Sequence, residues 1–205
     1  MPFQKTLAAV EDQGMPPIRF LNELVEWGRV APEDIFAPRK DPALPMVDVY
    51  NRILPFLGEW HRADDKFFWR SPLHRRAAML ELMRVHGGFE SGWKWMMGVD
   101  TTNKRSMANK TGQETGLWQV SFDSTFLDKN GEMNEFCSTH GIDKVNPFIT
   151  KMKEDHRLAM EYYARLMRYS YKWAGPVIRH SGDSINGWLR RDAEKEFEQL
   201  LSQNL

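Results

Sequence analysis

Glu90 stands at the end of an apolar run and directly before Ser91, Gly92, Trp93 and Trp95. A carboxyl group set among Phe89, Trp93 and Trp95 has the apolar cover that favours its protonated form, because desolvation disfavours the charge. The negative end of a preceding helix acts in the same direction. Such an acid suits glycoside cleavage, in which the leaving oxygen must be protonated as oxocarbenium-like charge develops on the sugar ring. About two dozen residues further on, Glu114-Thr115-Gly116-Leu117-Trp118-Gln119-Val120-Ser121 supplies a glycine turn that carries a hydrogen-bonding amide. The two stretches together describe the floor and wall of a cleft for a sugar polymer. The plain alternative is a surface glutamate in the turn that ends a helix.

The elements that must hold these residues are mostly helical. Ser71-Pro72 reads as an N-cap followed by proline at the first helical position. From there Leu73, Ala77, Leu80 and Met83, with Ala78, Leu82 and Val85, trace an apolar face broad enough for a helix buried on much of its circumference. Gly87-Gly88 is expected to end this helix or loosen its last turn. Upstream, Pro16 and Pro17 open a helix over Ile18 to Trp27 that Gly28 closes. A Pro-rich connector, Ala31 to Pro45, reads as a linker, and Met46 to Leu57 as a helix interrupted at Pro55. Downstream, residues 99 to 113 are polar and irregular, and Leu117 to Phe122 is β-like or a short turn. Asn146-Pro147 repeats the cap-plus-proline start, with helices over Phe148 to Lys153 and His156 to Trp173 and a stop at Gly175-Pro176. A last helix runs from about Arg191 to Ser202. The expectation is a mainly α chain, with an N-terminal helical segment and connector over 1–45 and a main body over 46–205.

Composition narrows the chemistry. Lys plus Arg number 28 and Asp plus Glu 28, so the formal net charge is zero and non-specific phosphate binding lacks its basic footprint. One cysteine, Cys137, permits no intrachain disulfide, so folding needs no oxidising compartment. Lys5, Glu11 and Asp12 break the first residues into a pattern unlike a secretory signal, and no apolar run has the length of a membrane span. The six histidines include no metal-binding spacing, and Cys137 with His140 supplies two ligands where a zinc site needs four. No phosphate-cradling glycine motif is present, and no metal or cofactor is expected. Ser91-x-x-Lys94 and Lys110-Thr111-Gly112 fit two motifs of penicillin-recognising serine enzymes. They lie fewer than twenty residues apart, where those enzymes place most of a domain between them, so the match is read as chance.

Glu90-Ser91, followed by Gly116-Leu117-Trp118-Gln119-Val120-Ser121, resembles the lysozyme-like superfamily, and within it the soluble lytic transglycosylases and goose-type lysozymes. The resemblance covers roughly Leu73 to Pro176. It implies a lysozyme-like helical domain with a substrate groove, in which Glu90 is general acid and later base and Gln119 binds an N-acetyl sugar. Ser91, Trp93, Trp118 and Ser121 are the accompanying substrate-binding candidates. Trp173-Ala174-Gly175-Pro176 looks like a weakened form of the family's Tyr-Asn-Ala-Gly-Pro element. Trp173 stands where its Asn falls, and Tyr171, one place from the motif's Tyr, is the candidate substitute.

A second carboxylate has two candidates, Asp100 and Glu114. Thr111-x-x-Glu114 also fits a helix capping box, and Asp100 falls in a loop where Asp serves turns. With a second carboxylate holding a water the reaction is hydrolysis with inversion. Without one, the sugar's own 6-hydroxyl attacks and an anhydro product forms, as in the lytic transglycosylases the chain resembles. The implied substrate is bacterial cell-wall peptidoglycan. Chitin or chitosan hydrolysis, and a non-catalytic glycan-binding module on the same fold, are the alternatives. A chain made in the cytoplasm without a signal peptide would reach the wall through a phage lysis or secretion system.

Overall fold

A computed structural model of the chain describes residues 2–38, 48–99, 104, 108–128, 131–170, 177 and 185–203. Its axis is α3 (Pro72–Ser91), of which sixteen of twenty residues are buried. Ser71 Oγ accepts the His74 N–H at 3.0 Å and Pro72 takes the first turn, so the helix starts where the sequence placed it. Its end differs from the expectation. Gly87 and Gly88 lie inside the helix, which continues to Ser91 and is capped by Gly92 in the left-handed conformation, φ +60°. The two glycines serve packing. A β-carbon on Gly88 would meet the Trp93 ring at 2.5 Å, and one on Gly87 would strike Leu117.

The other helices surround this axis: α1 (Ile18–Val30), α2 (Val49–Leu57), α4 (Glu132–Thr139), α5 (Val145–Glu154), α6 (His156–Tyr169) and α7 (Arg191–Ser202). The most extensive helix contact is between α3 and α7, and α1 also touches α3, α6 and α7. Two short antiparallel hairpins accompany the helices, with 3₁₀ turns and an isolated Asp128–Ser170 bridge among the described residues. In the first, β1 (Glu59–His61) pairs with β2 (Lys66–Phe68); in the second, β3 (Glu114–Thr115) pairs with β4 (Val120–Ser121). The class is mainly α. Among the described residues no helix is long and apolar enough to cross a membrane.

Several boundaries moved for identifiable reasons. Gly28 does not end α1, which runs on to Val30; it lets α1 approach α3, since a β-carbon there would meet Leu80 at 2.8 Å. Pro55 does not interrupt α2, whose first turn is capped by the Asp48 side chain accepting the Tyr50 N–H at 3.1 Å. Lys144, rather than Asn146, precedes α5, and Pro147 sits inside its first turn, where no intrahelical N–H is needed. α6 ends at Tyr169; Asp155 caps its start by accepting the Leu158 N–H at 3.1 Å.

The opening segment packs into the same apolar cluster as α3. Phe3, Val10, Phe20, Leu21, Leu24, Ile35 and Phe36 are buried alongside Leu80, Met83 and Leu201. Ile35 and Phe36 belong to the stretch read as a linker, and its residues 39 to 45 lie outside the described residues, as do Met46 and Val47. Buried charges on α3 tie this segment down. Arg75 Nε donates to the Phe36 carbonyl at 2.6 Å, Arg76 to the Gly28 carbonyl, and Arg84 to the Ala8 carbonyl at 2.8 Å. Arg84 also grips Glu81 through two bonds of 2.7 Å, with both side chains sealed from solvent. A buried charge is tolerated only when paired and hydrogen-bonded in this way.

Candidate functional site

Glu90 lies in the last turn of α3, with its side chain 30% exposed. The carboxyl is therefore walled on one side by the core and open on the other. His86, one turn earlier on the same helix, approaches it with Nε2 2.9 Å from Glu90 Oε1. The other ring nitrogen of His86 is hydrogen-bonded to the hydroxyl of Tyr163, which α6 brings across. Tyr163 is fully buried; burial first, and the nearby Glu90 charge second, push its phenol well above the ordinary value.

The glycine turn folds against the same end of α3. Thr115 faces Val120 and Glu114 faces Ser121, so residues 116 to 119 form the tip of the β3–β4 hairpin. Gly116 has φ +72° and its N–H donates to the Met97 carbonyl at 3.0 Å. Leu117 packs on Gly87, and the Trp118 indole N–H donates to the Met83 carbonyl at 3.0 Å. The hairpin is thus fastened to the helix one and two turns before Glu90. Gln119 adopts φ +46° and its amide donates to the Gly116 carbonyl at 2.8 Å, which closes the turn.

The candidates named from the sequence separate into groups. Glu114, Gln119 and Ser121 line one cavity of about 170 Å³, with Val120, Asp123, Ser124, Leu127 and Leu166 completing its wall; Glu90 lies outside that lining. Glu114 is exposed and opens β3. It belongs to no capping box, because the 3₁₀ turn before it is capped by Asn109, whose side chain accepts the Thr111 N–H at 3.2 Å. Ser91 is buried: its hydroxyl donates to the Gly87 carbonyl at 3.2 Å and accepts the Lys94 N–H at 3.1 Å, holding the helix end together.

The two tryptophans are buried as well. Trp93 is 5% exposed, with φ +60°, and its indole donates to the Arg84 carbonyl at 2.9 Å. Trp118 is 3% exposed and lies flat on Tyr163, with ring centroids 4.8 Å apart. Both rings are therefore packed into the core and present little face to a ligand. Trp95, half-buried, stands edge-on to Trp118 at 5.5 Å and stacks on His156 at 3.9 Å. Asp100, Tyr171 and the Trp173-Ala174-Gly175-Pro176 element lie outside the described residues.

Two polar residues of the site escaped the sequence reading. His86 and Tyr163 carry the hydrogen bonds behind Glu90. The signal for His86 was present in His86-x-x-x-Glu90, since residues four apart share a helix face. Tyr163 had no such signal, because its role depends on how α6 crosses α3. No protein-family model, no curated protein and no solved structure matches this chain.

Proposed function

We propose that the chain cleaves β-1,4 glycosidic bonds of bacterial cell-wall peptidoglycan, with Glu90 as general acid and then general base. The observation that carries the reading is one juxtaposition. A half-open carboxyl ends the central buried helix, a buried imidazole holds it, and the Gly116–Gln119 turn is bonded to that same helix two turns earlier. The lysozyme-like resemblance of the two motifs gives this arrangement its substrate class. Glu90 donates its proton to the leaving oxygen, and the resulting carboxylate takes one back from the attacking hydroxyl. Gln119 offers amide hydrogen bonds to an N-acetyl group, and Glu114 and Ser121 extend the polar surface beside it.

Glu90→Gln keeps the shape and the hydrogen bond to His86 while removing the transferable proton. The variant is expected to fold with unchanged circular dichroism and to lose clearing of purified cell-wall suspensions. Clearing at the wild-type rate by a folded Glu90→Gln protein overturns the reading. Mass spectrometry of the released muropeptides separates hydrolysis from anhydro-product formation, which differ by one water.

A further inference from the structure

Behind Glu90 stand two sealed polar side chains that acid catalysis by a carboxyl does not itself require. His86 is 2% exposed and Tyr163 is fully buried. Among the described residues the Tyr163 hydroxyl has a single hydrogen-bond partner, His86 Nδ1. A buried hydroxyl hydrogen left without an acceptor keeps its full desolvation penalty. The phenol keeps that hydrogen at every ordinary pH, since burial above all holds it protonated. Tyr163 therefore donates to Nδ1, and the imidazole hydrogen sits on Nε2. Nε2–H then donates to Glu90 Oε1 across 2.9 Å. The opposite tautomer would aim Nδ1–H at the phenol oxygen and strand the phenol hydrogen in the core.

We propose that His86 and Tyr163 are positioning residues that pin Glu90 Oε1 through a tautomer-locked imidazole, so that Oε2 is the atom that carries and delivers the proton. This deepens the glycosidase reading and rests on it. In the first step the Oε2 proton passes to the glycosidic oxygen, which keeps the electron pair of its broken bond to C1. In the second step a hydroxyl oxygen, from water or from the sugar's 6-position, bonds to C1 and its proton returns to Oε2. The Nε2–H bond to Oε1 persists through both steps and is strongest while Glu90 is charged. The imidazole gives up no proton; it orients the acid and supports the carboxylate.

Side-chain ¹⁵N NMR of the full chain reads the tautomer directly. The expected spectrum shows hydrogen on His86 Nε2 and a bare Nδ1, and Tyr163→Phe converts it to a tautomer mixture. A wild-type His86 found with hydrogen on Nδ1 overturns the proposal whether or not the chain cleaves anything. On cell-wall substrate, Tyr163→Phe is expected to lower kcat about tenfold and to leave KM within about twofold. His86→Gln, whose amide nitrogen falls near the place of Nε2, retains more activity than His86→Leu. Wild-type kcat in Tyr163→Phe overturns the positioning role. A wild type inactive on cell wall, chitin and chitosan, yet showing the Nε2–H tautomer, overturns the glycosidase reading and the catalytic half of this one, while the lock itself stands.

Discussion

A β-carbon on Gly116 would stand 2.6 Å from the carbonyl oxygen of Met152. The backbone of α5 thus touches the hairpin tip at the one residue that has nothing to put in the way, and Gly116 at φ +72° also needs a conformation that other residues resist. Gly116→Ala combines left-handed backbone strain with an overpacked contact against rigid helix backbone. The expected cost is about 3 kcal/mol of unfolding free energy, read by urea denaturation. A loss below about 0.5 kcal/mol would mean that α5 and the hairpin part freely.

Gln119 closes the same turn, and its φ of +46° rules out most replacements on backbone grounds alone. Asn tolerates that conformation and shortens the side chain by one methylene. If Gln119 binds the N-acetyl group, Gln119→Asn raises KM about fivefold, the value of one hydrogen bond, and changes kcat less. Steady-state kinetics on soluble glycan fragments separate the two constants. An unchanged KM removes Gln119 from the binding surface.

Legibility in the sequence followed how local each cause was. The start of α3 was readable because Ser71 and Pro72 act within one turn, and α7 because Ala193, Phe197, Leu200 and Leu201 repeat at helical spacing. The role of Gly87 and Gly88 was not readable. Their meaning comes from Leu117 and Trp93, which reach them only once the chain has folded back. The burial of Trp93 and Trp118 was not readable for the same reason. An indole beside a suspected acid looks the same in sequence whether it faces a ligand or donates to a helix carbonyl. The β1–β2 hairpin went unread because three-residue strands leave too short a run for alternation to register.

The Glu81–Arg84 pair gives a third test, independent of any activity. Both side chains are sealed, and Glu81 also accepts the Arg190 N–H at 3.0 Å, which links α3 to the segment before α7. Arg84→Met leaves a buried carboxylate without its cation and is expected to cost about 3–5 kcal/mol. Adding Glu81→Leu removes the stranded charge and is expected to recover much of that loss. Thermal unfolding of the single and double variants checks it; equal instability of the two would show that the charge was not the cause.

Stability also depends on pH through α7. Glu194 is 1% exposed, and burial, then repulsion by Glu198, raise its carboxyl pKa to about 8 against Arg70 and Lys195, which pull it down. The folded chain therefore holds a proton that the unfolded chain releases at 4.5. The resulting stabilisation is complete below pH 4.5 and is lost progressively as pH rises to about 8. Glu194→Gln is expected to match the wild-type melting temperature near pH 4.5 and exceed it at pH 8.

Glu196, on the same helix, acts with the opposite sign. Partial burial raises its pKa, but the N–H and hydroxyl of Thr6, with the N–H groups of Gln4 and Lys5, more than offset this and lower it overall. Its contribution is present above the unfolded carboxyl value and is lost as the medium becomes more acid. Glu196→Gln is expected to destabilise the chain at neutral pH and to approach wild type as pH falls below 4.5. A constant difference across that range would deny the carboxylate its clasp on the first residues.

The flat contact between Trp118 and Tyr163 has an optical consequence. Tyr163 holds His86 and His86 holds Glu90, so an indole lies three contacts from the carboxyl. Light emitted by an indole responds to charge gained or lost nearby. If a glycan binds over Glu90 as proposed, it will therefore alter the glow of this ring without any dye attached, and replacing Trp118 with Phe will silence that part of the signal.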